Sequence, residues 1–323
     1  MIFIDRNYVD IFPQIWNNNY KGVINMEYLS TSTIAKKWNI SERCVRYYCK
    51  SNRIAGAILV DKKWIIPSTA SKPLRKKREN EKNTTLLDVL KREKNSSISG
   101  GIYHKLQIEM TYNSNHIEGS CLTHDQTKYI FETNTIGVFD KSIDVDDIIE
   151  TANHFRCIDF VIDNAKYLLT EKMIKELHYI LKNGTSDSRK SYFAIGNYKK
   201  LPNEVGGIET TLPENVDKEM KLLINNYNQK KEKTFEDLIE FHYCFERIHP
   251  FYDGNGRVGR LILLKECLHY NIVPFIINEE IKMFYYRGLV MWKEERGYLI
   301  DTCLTAQDNF KLYLDYFRIN YPK

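Results

Sequence analysis

Twelve consecutive residues, 249–260 ("HPFYDGNGRVGR"), bring together side chains that could do chemistry. His249 has a ring that titrates near neutral pH and can take a proton from an attacking hydroxyl. Asp253 offers a hard oxygen ligand, for which Mg²⁺ is the natural partner. Arg257 and Arg260 are three residues apart, and two guanidiniums on one side of a helix match the forked oxygens of phosphates. The stretch predicts a site that holds a polyphosphate, binds a metal and removes a proton.

The glycines of the same stretch add a backbone feature. Gly254 and Gly256 flank Asn255, and this pattern permits a tight turn whose successive N–H groups converge on an anion. Each part alone has an ordinary interpretation: His-Pro-Phe as core, Gly-Asn-Gly as a turn, and paired arginines as a solvated face. Their combination within twelve residues favours the functional interpretation.

Two helices are predicted to position this loop. Residues 234–248 ("TFEDLIEFHYCFERI") place apolar side chains and His242 on one face, and Pro250 cannot continue a helix, so His249 is expected at its end. Residues 257–270 resume a helical pattern, which places the loop at a helix N-terminus, a common phosphate site. We interpret His242 as a packed structural histidine.

The stretch resembles the signature of the Fic (filamentation induced by cAMP) family, His-x-Phe-x-[Asp/Glu]-Gly-Asn-Gly-Arg-x-x-Arg, with every defining position present. The resemblance reaches from about residue 95 to the C-terminus and implies transfer of AMP from ATP to a Ser, Thr or Tyr hydroxyl of a target protein. It implies that His249 is the base, that Asp253 holds Mg²⁺, and that the remaining motif residues bind ATP. Those residues are Gly254, Asn255, Gly256, Arg257 and Arg260.

A second motif, "SNHIEG" (114–119), resembles the inhibitory pattern of the same family. Ser114 and Glu118 lie one helical turn apart, so they share a face of the helix predicted near 102–119, and Gly119 follows. The resemblance implies that Glu118 pairs with Arg260 and takes it from the γ-phosphate. Taken alone, the pattern is an ordinary surface turn. In some family members the same glutamate assists removal of AMP, so deAMPylation stays open.

Two further segments are candidates for contacts with substrates. Residues 195–213 read as a turn-rich hairpin that resembles the family's flap, which aligns an extended target segment as an added strand. An exposed hairpin without a partner is the alternative. The predicted flap residues are Tyr198, Lys199, Asn203 and Val205. Tyr285 and Tyr286 are candidates to line the adenine pocket of the ATP site or, equally, to pack between helices.

The N-terminal part carries a different pattern. Residues 28–67 predict two short helices, the first capped by Ser30 or Thr31 and the second by Ser41, followed by a hairpin that turns at Asp61 and Lys62. This resembles excisionase-like and MerR-like winged helix-turn-helix modules, which implies DNA contacts by exposed residues of the second helix. A small helical domain that docks a protein is the alternative. The candidate DNA-binding residues are Arg43, Arg46, Tyr47 and Lys50.

Charge and cysteine content agree with these interpretations. The net charge is +5, but residues 1–90 hold 16 Lys+Arg against 8 Asp+Glu, which leaves 31 against 34 in the rest. A basic front joined to a faintly acidic body suggests a polyanionic partner for the front. The seven cysteines are scattered without a Cys-x-x-Cys pair, which favours free thiols. With no apolar run that resembles a signal sequence or a membrane span, we expect a cytoplasmic protein without membrane contact.

The sequence therefore predicts a mainly α protein: a Fic-type helical bundle with a β-hairpin flap, preceded by a small winged helix-turn-helix domain. We divide it into an unassigned extension (1–25), the putative DNA-binding domain (26–70), a basic linker with the start of the helical region (71–94) and the Fic domain (95–323). The predicted function is an autoinhibited protein adenylyltransferase that uses ATP and Mg²⁺. The alternatives are a nucleotide-sensing transcriptional regulator without appreciable transfer, or another Fic-type group transfer. A homodimer is compatible with both modules.

Overall fold

The computed structural model describes residues 27–73, 84–137 and 142–322. The chain divides into two compact units, 1–79 and 80–323. The N-terminal extension (1–25) and residues 74–83 of the basic linker region lie outside the described residues.

The described part of the N-terminal unit, residues 27–73, contains two helices and a three-stranded antiparallel sheet. Its elements are β1 (Tyr28–Ser30), α1 (Thr31–Trp38), α2 (Glu42–Lys50), β2 (Ile58–Val60) and β3 (Lys63–Pro67), with β3 central in the sheet. The predicted caps are confirmed, because the Ser30 and Ser41 hydroxyls accept from backbone N–H groups in the first turns of α1 and α2. The predicted hairpin is confirmed as well, since β2 and β3 pair across Asp61 and Lys62.

The described part of the C-terminal unit, residues 84–137 and 142–322, is mainly helical with one short β-hairpin, as predicted. Its first helices are α3 (Leu86–Asn95), α4 (Ile102–Ile117), α5 (His124–Thr133), α6 (Val145–Asn164) and α7 (Glu171–Lys182). The hairpin of β4 (Glu204–Val205) and β5 (Ile208–Glu209) follows. The remaining helices are α8 (Pro213–Gln229), α9 (Phe235–Ile248), α10 (Asn255–His269), α11 (Lys282–Met291) and α12 (Gly297–Tyr316).

Helix α10 is the centre of this unit. All of its residues from Arg257 to Leu268 are buried, so it is enclosed on every side by other helices. The main apolar core joins α10 to side chains of α3, α4, α6, α7, α8, α9 and α12. The loop that precedes α10 is therefore fixed by a helix that has little freedom to move. Among the described residues, no helix is long and apolar enough to cross a membrane.

Candidate active site

His249 lies where helix α9 ends, as the sequence predicts. It has left-handed backbone angles (φ 51°, ψ 62°), and its N–H donates to the Phe245 carbonyl at 2.9 Å. Burial and the nearby Lys199 ammonium lower the pKa of His249 to about 4, although a hydrogen bond with the Glu246 backbone acts in the opposite direction. The imidazole is therefore neutral at physiological pH and able to accept a proton.

The loop after His249 is held by side chains that turn inward. The Asn255 side chain accepts from the Phe251 N–H at 2.8 Å and donates to the Phe251 carbonyl at 2.9 Å. The Phe251 ring stacks on His178 of α7, with ring centroids 3.9 Å apart. The polar atoms of the Asn255 side chain are therefore occupied within the loop, and the inclusion of Asn255 among the ATP-binding residues stays a prediction.

Helix α10 begins at Asn255, two residues earlier than predicted. Gly254 is the N-cap of α10 and has a φ of 81°, which a residue with a side chain rarely adopts. The first N–H groups of α10 have no partner within the helix and can bind an anion. Gly256 allows the Glu118 carboxylate to approach the first turn of α10 closely, because a Cβ at residue 256 would collide with that carboxylate.

Asp253 and Arg257 belong to a cluster of charges that joins the start of α10 and its preceding loop to α6, to α7 and to Asp187. Oδ2 of Asp253 accepts from Lys182 Nζ at 2.7 Å and from Arg257 Nη2 at 3.2 Å. Glu150 of α6 pairs with both Lys182 and Arg257, and Asp187 pairs with Lys182 at 3.0 Å. Because the two cations outweigh the effect of burial, the pKa of Asp253 lies well below its usual range. The Asp253 carboxylate is therefore ionised, and 47% of the Asp253 side chain is exposed.

Arg260 is paired with the helix that carries the second motif. Its Nη2 donates to Glu118 Oε1 at 2.6 Å and to the Ser114 carbonyl at 2.9 Å, and its Nε donates to Ser114 Oγ at 3.0 Å. Only 6% of the Arg260 side chain is exposed, against 27% for Glu118. Helix α4 ends at Ile117, Glu118 is its C-cap, and Gly119 follows with a φ of 100°.

Behind Arg260 lies a group of buried polar side chains. His242 Nε2 and the Tyr285 hydroxyl form a hydrogen bond of 2.6 Å, and burial lowers the pKa of His242 to about 3. Burial raises the pKa of Glu246 to about 8, and its Oε1 has no hydrogen-bond partner among the described residues. These contacts agree with a structural role for His242.

The two candidate adenine residues differ in their surroundings. Tyr285 is 1% exposed and packs in an apolar cluster, which favours the helix-packing alternative over contact with a ligand. Tyr286 is 37% exposed, with its hydroxyl 3.5 Å from the Ile117 carbonyl. Only Tyr286 can line a pocket that opens to solvent in this conformation.

The predicted hairpin is present, and it turns at Gly206 and Gly207, both with positive φ. Of the four predicted flap residues, only Val205 is well exposed, at 47%. Lys199 is buried, Tyr198 is half-buried beneath the Lys175 ammonium, and Asn203 bonds to the loop after His249. The side chains of Tyr198, Lys199 and Asn203 therefore contact the protein itself, and the role of the hairpin as a flap for a target segment stays a prediction.

In the N-terminal unit, all four candidate DNA-binding residues lie on α2 and are exposed. Arg46 pairs with Glu42 one turn earlier at 2.7 Å, while the inward face of the helix holds Val45 and Tyr48. The helix thus presents basic side chains on its outer face, as predicted.

Sequence reasoning missed three residues that hold the site together: Glu150, His178 and Lys182. His178 bonds through Nε2 to the Asp253 carbonyl at 3.1 Å and through Nδ1 to the Gly196 N–H at 2.9 Å. His178 and Lys182 are four residues apart on the buried face of α7, so polar residues at apolar positions were the available signal.

Comparison with known proteins gives matches over this helical fold and its loop. Residues 168–267 match the family described as the Fic/DOC family. Two curated relatives named protein adenylyltransferase Fic, from Aedes aegypti and Nematostella vectensis, are 29% and 27% identical over 195 and 183 residues. These alignments cover 58% and 55% of this chain but only 37% and 41% of the relatives.

Solved structures show the same fold. A Fic-domain-containing signaling protein from Bacteroides thetaiotaomicron is 26% identical with a TM-score of 0.54, over 71% of this chain and 90% of that one. Fic-1 from C. elegans is 20% identical with a TM-score of 0.54, over 71% of this chain and 69% of that one. The chain is therefore similar to Fic proteins, in sequence over residues 168–267 and in fold over 71% of its length.

Proposed function

We propose that the C-terminal unit transfers AMP from ATP to a Ser, Thr or Tyr hydroxyl of a target protein. One observation carries the proposal: a neutral imidazole, an ionised carboxylate and the free N–H groups of a helix N-terminus meet in one short loop. The names of the curated relatives support the same activity.

In this proposal His249 takes the proton of the target hydroxyl as its oxygen attacks the α-phosphorus. The new O–P bond replaces the bond to the β-phosphate oxygen, and pyrophosphate leaves. The N–H groups at Gly254–Gly256 and the Arg257 guanidinium bind the phosphates, so that catalysis rests on positioning and on stabilising the developing charge.

Asp253 fits a magnesium ion. Lys182 and Arg257 hold Oδ2, and nearly half of the side chain is exposed. No group of three or more His, Cys, Asp or Glu side chains in the described residues could hold a metal ion, so phosphate oxygens would supply further ligands. When bound, Mg²⁺ would neutralise charge on the phosphates.

We propose further that the protein is autoinhibited. Glu118 and Ser114 occupy three donor contacts of the Arg260 side chain, which leaves this guanidinium unavailable to a γ-phosphate. Removal of the Glu118 carboxylate would release it.

The N-terminal unit is proposed to bind DNA, which would link the transferase to its operator or its own promoter. The exposed basic face of α2 supports this. A nucleotide-sensing regulator with negligible transfer would have the same DNA-binding face. The following assay distinguishes that alternative from the proposed AMP transferase.

The Glu118→Gly protein is incubated in a lysate of the source cell with ATP labelled at the α- or at the γ-phosphate. We expect protein label from the α-position only, at a level well above that of the parent, and none after His249→Ala in the same background. Label from the γ-position would indicate phosphorylation, and no label from either would favour the sensor. Equal labelling by parent and variant would refute autoinhibition.

A further inference from the structure

The base of the hairpin contains a buried lysine that pairs with no carboxylate among the described residues. Lys199 is 3% exposed, and burial lowers its pKa to about 8. Its Nζ instead donates to Asn203 Oδ1 at 2.7 Å and to Thr210 Oγ1 at 2.6 Å. Burial of an ammonium among neutral groups is costly, so these two hydrogen bonds must offset part of the cost.

These partners stand at the two ends of the hairpin. Asn203 directly precedes β4 and Thr210 directly follows β5, and the Thr210 hydroxyl is also 2.7 Å from the Asn203 carbonyl. The Lys199 ammonium therefore joins the two strands of the hairpin at its base, the end opposite the turn. Strand pairing is limited to two residues on each side, which is too little to fix a hairpin alone.

The same group is tied to the loop that carries the proposed base. The Lys199 N–H donates to the Pro250 carbonyl at 2.9 Å, and Asn203 Nδ2 lies 3.3 Å from the carbonyls of Phe251 and Tyr252. Both contacts fall between His249 and Asp253. Hairpin and loop are thus connected through successive carbonyls.

We propose that Lys199 is a positioning residue, which locks the hairpin onto the loop and thereby fixes where an extended target polypeptide lies relative to the base. The part of this inference that concerns the target polypeptide rests on the proposed AMP transfer. The lock itself concerns only contacts within the chain.

The lock is tested by hydrogen exchange of the hairpin amides in the full chain. Lys199→Met removes the ammonium but keeps an unbranched side chain, and Thr210→Val removes one acceptor without a change of charge. Loss of a hydrogen bond to a charged group should speed exchange in residues 204–209 by about tenfold or more. Lys200→Met, at an exposed neighbouring position, is the matched control and should exchange like the parent. Unchanged exchange in both test variants would overturn the lock.

The positioning role is tested by separating nucleotide binding from transfer. In the Glu118→Gly background, Lys199→Met should retain the parent's affinity for MgATP by calorimetry, while α-labelling of lysate proteins falls at least tenfold. Weakened MgATP binding in Lys199→Met, with Thr210→Val normal in every assay, would overturn it in favour of a direct charge effect on the nucleotide. If Glu118→Gly transfers nothing, the proposed function fails, yet the exchange result still decides the lock.

Discussion

The pairing of Arg260 with Glu118 can be measured as a linkage between stability and nucleotide binding. The perturbation is Glu118→Gln, which keeps the shape and one acceptor oxygen but removes the charge. Breaking a buried ion pair costs about 3–5 kcal/mol when a whole partner is lost. Glu118 is 27% exposed and glutamine can still accept a hydrogen bond, so we expect a loss of roughly 2 kcal/mol in the free energy of unfolding.

A loss of that size lowers the Tm of a unit this large by roughly 4–8 °C. Bound ATP should return part of this stability, because the released Arg260 guanidinium can pair with a phosphate. A gain of about 1.4 kcal/mol corresponds to about tenfold tighter binding of ATP.

The assay is thermal unfolding with and without MgATP, together with calorimetric titration. The control is Glu240→Gln, which removes the same charge from an exposed pair with Arg296 at 3.1 Å, and it should change stability by less than about 1 kcal/mol. If Glu118→Gln unfolds like the control and binds MgATP no more tightly than the parent, the reasoning about Arg260 is refuted.

Two further predictions concern acid stability and DNA. Burial lowers the pKa to about 3 for three histidines: His154, His178 and His242. Their folded pKa values lie below the unfolded value, so stability that is present above about pH 6.5 is lost as pH falls; Glu246, raised to about 8, opposes this by one proton. His249, whose pKa is lowered to about 4, adds a fourth proton, so four protons minus one leave three. Between about pH 6.5 and 4.5 these groups should lower the free energy of unfolding by at most roughly 4 kcal/mol per pH unit in denaturant titrations, and an increase would contradict this. For DNA, Arg43→Ala and Lys50→Ala should each reduce the salt dependence of binding to the protein's own promoter by about one phosphate contact, measured by fluorescence anisotropy, whereas Lys36→Ala on α1 should not. Equal effects of all three would argue against α2 as the reading helix.

Local spacing explains what could be predicted from the sequence. The end of α9 at His249 follows from Pro250, and the shared face of Ser114 and Glu118 follows from helical periodicity. Such features depend on residues within one or two turns of each other. The family resemblance then supplied the long-range pairing of Glu118 with Arg260, across 142 residues.

Contacts between distant segments without a motif were not predictable. Glu150 meets Lys182 across 32 residues and Arg257 across 107, and nothing in the spacing of these residues indicates either pair. Tyr285 and Tyr286 are adjacent and chemically identical, yet one is buried and the other half-exposed. Their difference depends on how α11 packs in the fold, which a single sequence does not specify.

The location of Glu118 determines how large a rearrangement would be needed to free Arg260. Nine side chains of α4 are buried, whereas Glu118 lies just beyond its last residue, beside a glycine in the left-handed region. Unwinding of the final turn would withdraw the carboxylate while the remainder of α4 stays docked. Such local openings cost far less than global unfolding, so an effector with modest preference for the frayed end could release Arg260.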